Sequence, residues 1–414
     1  MSSISTTLKT LATNLGVMST ARRLYLKHYF SNLQQEYKEF LKTGDIPMPE
    51  MIIWEPTGKC NLRCRMCYIN FSVTTKSKEM SLEDFRSMIN KIPTLKKTVL
   101  IGGELFLRKD IFDMLEFLRS KNIQAAIATN ATLLNQTMID KLAGYKEMTT
   151  VVVSIDGPEK IHNQIRGWQF AFQQSTKNVK AMREKGIFVT LVSVITHENM
   201  PHLKEIIQVA KDSKANYIEL EYERMYTKEM VEETAKALNI ENTYENFPLV
   251  TGDKELPPYT MEKLRISLDE TEKSAAEQGV VLGYMPFYFK EQLPDYYNRT
   301  LKGEHFCKQL FIPRVDCEGN VIFCFAIKKP FGNVLQQSFE EIWYGKELTD
   351  FRKRFLNNPI LPICKTCEKL VVYDRDDEAA QLREKNFPLP AEAQPTPAEV
   401  KEFEKMEPLL VGNN

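Results

Sequence analysis

The sequence predicts an α/β fold built on a parallel sheet, and three observations carry that expectation. Strand-like and helix-like stretches alternate through residues 51–222, each βα unit is long enough for a crossover, and 43% of the 414 residues are hydrophobic. Val, Ile and aromatic residues mark strands over 51–55, 97–101, 124–129, 150–155, 188–195 and 216–222. Helical stretches fall between them, over 81–92, 109–121, 135–144, 169–185 and 200–213. Ser81 and Asn135 are suited to cap two of these helices. Repeated βα units imply parallel strands covered by helices, in an open sheet or a barrel. In such folds the functional groups gather at the C-terminal ends of the strands.

The flanking regions differ in character. Residues 1–50 form a predicted helical extension with Leu8, Leu11, Leu15, Leu33, Tyr37 and Leu41 near helical spacing, and its first 44 residues hold six Lys/Arg against two Glu. A basic amphipathic helix of this kind either packs over one end of the main domain or touches a membrane surface. Residues 223–306 are a charged, mostly helical connector, with a helix near 260–278 and a short strand at Val280–Leu282. Residues 307–370 form a cysteine-bearing module, and 371–414 an acidic, proline-rich tail.

Composition narrows the function classes. Lys+Arg and Asp+Glu are equal at 55 each, which argues against nucleic acid as a partner. The first twenty residues lack the apolar core of a signal peptide, and no apolar run approaches a membrane span. A cytoplasmic location is therefore expected, and in a reducing compartment eight cysteines read as metal ligands rather than disulfides. Their clustering at 60, 64, 67 and again at 307, 317, 324, 364, 367 agrees.

The first group lies directly after the first strand, as Cys60-Asn-Leu-Arg-Cys64-Arg-Met-Cys67-Tyr68. Three thiolates on one short loop can hold three irons of a 4Fe–4S cube and leave the fourth iron open, whereas four would close it. Taken alone, the spacing would also suit zinc.

Cys-x3-Cys-x2-Cys resembles the signature loop of the radical S-adenosylmethionine superfamily, and further matches follow in order. Gly102-Gly103-Glu104 ends the second strand like the family segment that holds the methionine amino group, with Leu105 where a proline often stands. Ser154-Ile-Asp156-Gly-Pro158 ends the fourth strand and is similar to the ribose-binding segment, and Thr129 and Asn130 end the third. Arg166 resembles an arginine that pairs with the methionine carboxylate. The resemblance implies a partial (β/α)6 TIM-like barrel over 51–222 that cleaves S-adenosylmethionine reductively and takes hydrogen from an unactivated C–H bond. It also implies a reductant partner such as flavodoxin or ferredoxin.

Cys307, Cys324, Cys364 and Cys367, with Gly319 five residues before Cys324, resemble the C-terminal auxiliary-cluster module of the SPASM/twitch branch. Four ligands fit the shorter, twitch-like form with one auxiliary cluster, expected to be 4Fe–4S and to accept an electron from the substrate radical; a structural zinc knot is the alternative. Cys317 is left over, as a substitute ligand, a catalytic thiol or a small core residue.

Along the sixth strand, Tyr217, Glu219, Glu221 and Glu223 alternate with Ile218, Leu220 and Tyr222. Glu219 and Glu221 are candidate substrate or catalytic groups if that polar face points into a barrel, and solvated residues if the strand is an edge. His162, His197, His202 and His305 read as surface or capping residues, with His305 notable for lying two positions before Cys307. The favoured substrate is a small metabolite, lipid or cofactor precursor undergoing net oxidation. A peptide maturase is the second expectation, disfavoured because residues 1–50 are short for a leader-binding winged helix. A non-catalytic zinc or iron–sulfur scaffold is the third.

Overall fold

The computed structural model describes residues 18–67, 78–224, 226–243, 247, 261–285, 293–298, 304–357, 360–367 and 369–373. Tyr68, Leu8, Leu11, Leu15 and the acidic tail beyond 373 lie outside the described residues. The chain runs α1 (Met18–Thr43), β1 (Met51–Thr57), α2 (Leu82–Asn90), β2 (Lys97–Gly102), α3 (Ile111–Ser120), β3 (Gln124–Thr129), α4 (Gln136–Ala143) and β4 (Thr149–Ser154). Next come α5 (Glu159–Arg166), α6 (Ala171–Glu184), β5 (Val189–Ile195), α7 (Leu203–Asp212), β6 (Tyr217–Tyr222), α8 (Lys228–Leu238), α9 (Met261–Gln278) and β7 (Leu282–Met285). The C-terminal part holds α10 (Leu293–Asn298), β8 (Glu304–Cys307), β9 (Arg314–Val315), β10 (Asn320–Ile322), β11 (Pro330–Asn333), α11 (Phe339–Trp343), α12 (Lys346–Lys353) and β12 (Leu370–Tyr373).

Among the described residues ten strands make one sheet in the order β11-β10-β9-β1-β2-β3-β4-β5-β6-β7. Neighbours from β9 through β1 to β7 are parallel, and β9, β10 and β11 are antiparallel. All six expected strands form. The expected strand at Val280–Leu282 instead covers Leu282–Met285 and pairs with β6, so the connector extends the sheet. Helix α5 was not anticipated: eight mostly polar residues between Pro158 and Gly167 carry too short a periodic stretch to signal a helix.

One face of the sheet is sealed. Ile52, Trp54, Leu100, Ile127, Val151, Val153, Leu191, Ile218 and Leu220 are wholly buried in the core formed with the helices. Trp54 stacks on Phe85 of α2 with ring centroids 4.4 Å apart. The opposite face is only half buried. Val99 pairs with Ala126, Ala128 with Val152, Ser154 with Val192, Val192 with Glu219 and Val194 with Glu221, all in register on that side. Arg224, just past β6, lies over the ring of Phe325, just past β10, at 4.1 Å. The sheet therefore curls until strands far apart in its order meet, and the half-buried face lines the inside. This is a partial (β/α) barrel.

In α1 the buried stripe is Leu33, Tyr37 and Phe40, while Leu41 is exposed; i, i+4, i+7 spacing selects Phe40 over its neighbour. Tyr37 stacks on Phe306 of β8 at 4.3 Å, which ties α1 to the separate β8–β12 ribbon. Among the described residues no helix is long and apolar enough to cross a membrane.

Candidate functional site

The loop after β1 is held by close backbone contacts that demand glycine. The Gly103 N–H donates to Thr57 O and the Glu104 N–H to Lys59 O, both at 2.8 Å. A Cβ on Gly103 would stand 1.9 Å from the Lys59 carbonyl oxygen. Gly102 has φ of +129°, and a Cβ there would stand 2.6 Å from Thr57 O. From the other side Gly167, at φ +72°, lies against Arg63 O, and the Arg65 N–H donates to Ile165 O at 3.0 Å. The end of β2 and the end of α5 thus grip one loop.

On that loop Cys60, Cys64 and Cys67 are half-buried thiols. The Leu62 N–H donates to Cys60 Sγ at 3.4 Å. Burial pushes the Cys60 thiol above its ordinary range, and Glu104 and Cys64 push in the same direction. Three soft sulfur donors in a polar N–H-lined loop suit iron–sulfur ligation. Among the described residues no three His, Cys, Asp or Glu side chains are grouped to hold a single metal ion, whereas a cube takes each thiolate on its own corner.

Glu104 lies beneath this loop, wholly buried. Its Oε1 accepts from Thr129 Oγ1 at 2.7 Å and from the Phe106 N–H at 3.2 Å, and its Oε2 accepts from the Asn130 N–H at 2.8 Å. Burial raises its pKa and these hydrogen bonds oppose the rise. Asn130 Nδ2 donates to Asn61 Oδ1 at 3.0 Å and stands 4.0 Å from Cys60 Sγ. Thr129 and Asn130, the weaker sequence matches, therefore connect Glu104 to the cysteine loop. The next residue, Ala131, has φ of +58°, a strained conformation for alanine at this strand end.

At the end of β4, Asp156 is wholly buried and is forked by Arg166, with Nη2 to Oδ1 at 2.9 Å and Nε to Oδ2. Arg166 Nη1 reaches Cys64 Sγ at 3.6 Å. The guanidinium expected to meet a cofactor carboxylate is thus clamped by Asp156, with its remaining edge at a loop sulfur. Ser154 stands on the half-buried inner face, beside Val192.

His162 is buried rather than at the surface, and its Nδ1 accepts from the Asp156 N–H at 3.1 Å. Burial lowers its pKa from 6.5 to about 4, so it is neutral at pH 7. An unfolded histidine protonates near 6.5 and this one only near 4. Its contribution is complete above 6.5 and is lost as pH falls towards 4, about 3 kcal/mol in all. Urea unfolding of the parent and His162→Gln should show the smaller acid loss in the variant; equal losses would refute this. His305 is also buried, His202 pairs with Glu205 at 3.2 Å, and His197 is exposed.

A second sulfur group assembles in the C-terminal part. Pairing of β8 with β12 sets Cys307 opposite Leu370, beside the Cys364–Cys367 turn. The Cys364 thiol is pushed well above its ordinary range, first by burial and then by Cys307, Cys367 and Cys324. The Lys369 N–H donates to Cys367 Sγ at 3.4 Å. Cys307 and Cys364 are buried, Cys324 and Cys367 half-buried, and the influence of the other three on Cys364 fits the ligand set of one cluster. Cys317 sits instead in the β9–β10 turn near Gly319, where burial, Asp316, Glu55 and Glu318 push its thiol up to about 12. Such burial disfavours the thiolate that a catalytic nucleophile needs.

Glu219 and Glu221 stand on the inner face. The strand is not an edge, since β7 covers it. Tyr217 donates its hydroxyl to Glu219 Oε2 at 3.1 Å, and Arg224 lies 4.0 Å from Glu221. One buried pair went unread in the sequence: Glu55 on β1 with Arg314 on β9. No spacing signals it, because 259 residues separate the partners.

Comparison with known proteins agrees with this geometry. Residues 54–210 match the family model of the radical SAM superfamily, and residues 307–368 match that of the SPASM iron–sulfur cluster-binding domain. An Fe-coproporphyrin III synthase of Methanosarcina barkeri is 30% identical over 168 residues, covering 40% of this chain and 41% of that protein. An AdoMet-dependent heme synthase of the same organism is 24% identical over 338 residues, covering 77% of this chain and 88% of that protein. Five of the curated relatives are matched over less than half of their own length. The crystal structure of Streptococcus suis SuiB bound to precursor peptide SuiA aligns with a TM-score of 0.59 at 15% identity, covering 82% of this chain and 75% of that one. With its three-cysteine loop at the strand ends and its four-cysteine group beyond, the chain belongs to the SPASM-domain branch of the radical S-adenosylmethionine enzyme superfamily.

Proposed function

We propose that this chain is a radical S-adenosylmethionine oxidoreductase that removes hydrogen from an unactivated C–H bond of a small metabolite, lipid or cofactor precursor. The observation that carries this reading is the convergence of the Cys60–Cys67 loop, the Glu104–Asn130 network and the Asp156–Arg166 fork at one end of the barrel. When bound, a 4Fe–4S cluster and S-adenosylmethionine supply a 5′-deoxyadenosyl radical as the hydrogen acceptor.

In this reading Cys60, Cys64 and Cys67 are the cluster ligands, and Gly102 and Gly103 let the strand end press against their loop. Glu104, Thr129 and Asn130 shape the cofactor's floor, Ser154 and Asp156 its ribose side, and Arg166 places positive charge beside Cys64. The apolar residues of the inner face, Val99, Ala126, Val152 and Val194, would limit water around the reacting carbon. Cys307, Cys324, Cys364 and Cys367 would hold one auxiliary cluster, which would supply an electron acceptor and so allow a net two-electron oxidation. A flavodoxin or ferredoxin is the proposed reductant. The names of the two Methanosarcina relatives, both synthases of iron porphyrins, support a cofactor precursor as substrate.

A peptide or protein side chain is the second reading, supported by the fold shared with SuiB and its bound precursor peptide. Anaerobic reconstitution and dithionite reduction test the class. Formation of 5′-deoxyadenosine supports the enzyme; a loaded sample that forms none leaves only a scaffold or electron carrier. Iron analysis tests the second module. About eight irons per chain are expected, falling to about four in Cys364→Ala/Cys367→Ala. Full iron in that variant would remove the auxiliary assignment.

A further inference from the structure

Two ion pairs approach Phe325, the residue that follows Cys324. Arg314 and Glu55 are both nearly inaccessible to solvent, at 2% and 5%, and bond through Nε and Oε1. The Arg314 guanidinium lies 5.4 Å from the Phe325 ring centroid. In the sheet order β10-β9-β1, Arg314 on β9 stands between Glu55 on β1 and the end of β10, where Cys324 and Phe325 begin. From across the barrel, Arg224 lies 4.1 Å from the same ring, with Glu221 4.0 Å behind it on β6. Lys328, three residues past Phe325, acts on Glu55 from that segment as well. The remaining acids of this region, Asp316 and Glu318, bear with Glu55 on Cys317 in the hairpin turn.

Both guanidiniums therefore lie near the ring of Phe325, the neighbour of Cys324, and their carboxylates belong to β1 and β6. A buried ion pair is rarely retained for stability alone, since desolvating two charges offsets their attraction. Its orientation matters more here. The reduction potential of an iron–sulfur cluster follows the net charge and dipoles around it, and positive charge nearby favours the reduced, more negative state. The carboxylates cancel part of that field, and low dielectric keeps the remainder strong.

We propose that Arg314 and Arg224, each held by its carboxylate, are positioning residues that raise the reduction potential of the auxiliary cluster and so make it a better acceptor for an electron from substrate. The inference rests on the auxiliary cluster assigned above to Cys307, Cys324, Cys364 and Cys367.

The test is a potentiometric titration, followed by electron paramagnetic resonance, on the full chain carrying Cys60→Ala/Cys64→Ala/Cys67→Ala, so that one cluster reports. Arg314→Gln is expected to shift the potential down and Glu55→Gln to shift it up, with the double variant between them. Arg314→Lys, which keeps the charge, should restore most of the parental value. Loss of packing would move both single variants the same way, so shifts of one sign overturn the proposal, as does an unmoved potential. Should Arg314→Gln fail to fold, the decision falls to Arg224→Gln at a more exposed position, which must lower the potential. A background chain that takes up no iron overturns the cluster assignment and this inference together, whereas a loaded cluster with an indifferent potential overturns this inference alone.

Discussion

Replacement of Cys64 by alanine is expected to reduce 5′-deoxyadenosine formation to the assay background and to remove about four of about eight irons per chain. Cys64 is the middle donor of the loop and the one that Arg166 faces at 3.6 Å. Two thiolates cannot retain a cube against solvent, and without it the cofactor's sulfonium meets no electron donor. The fold should survive, because Cys64 is half-buried on a loop whose anchors are the backbone bonds of Gly103, Glu104 and Arg65. Circular dichroism and thermal unfolding of the metal-free chain should accordingly match the parent. A well-folded Cys64→Ala protein that keeps its iron and still cleaves S-adenosylmethionine would remove the proposed activity.

Gly103→Ala should be nearly as damaging by a different route. Its new methyl would meet the Lys59 carbonyl oxygen at 1.9 Å, and that oxygen is a backbone atom at the root of the cysteine loop. Relief requires the loop to lift away, which breaks the Glu104 N–H to Lys59 O bond and moves Cys60 off its neighbours. A destabilisation of about 3 kcal/mol or more is expected, at the upper end of single substitutions. Iron uptake at the first site should fall with it. Gly279→Ala supplies the control, with φ of +66° and nothing within 4 Å of the added carbon. Only the left-handed backbone resists there, at about 1 kcal/mol. Denaturant midpoints of the two metal-free variants settle the comparison, and equal midpoints would refute the loop-contact argument.

Much of this site was legible in residue order because its parts are local. Cys60, Cys64 and Cys67 span eight positions, Gly102 to Glu104 three, and each follows a strand whose β-branched residues announce it. Ser81 and Asn135 cap their helices as their side chains allow. Where periodicity was short, legibility failed: α5 was missed, and β7 was placed too early. Residue roles were less legible still. Arg166 looked available for a carboxylate, and only the fold shows Asp156 in its fork. His162 looked like a surface residue because burial is not written in a polar hexapeptide.

What residue order alone determined is the α/β alternation, the two sulfur groups and the family resemblance they carry, since each depends on neighbours within a few positions. What only the tertiary structure decided is which charges meet. Strand β9 joins β1, so Arg314 finds Glu55 across 259 residues, and the curl of the sheet sets Arg224 over Phe325. The same curl turns the Glu219 and Glu221 face inward. Such pairings follow from strand order and burial, which arise when distant segments share one core, and no local pattern encodes them.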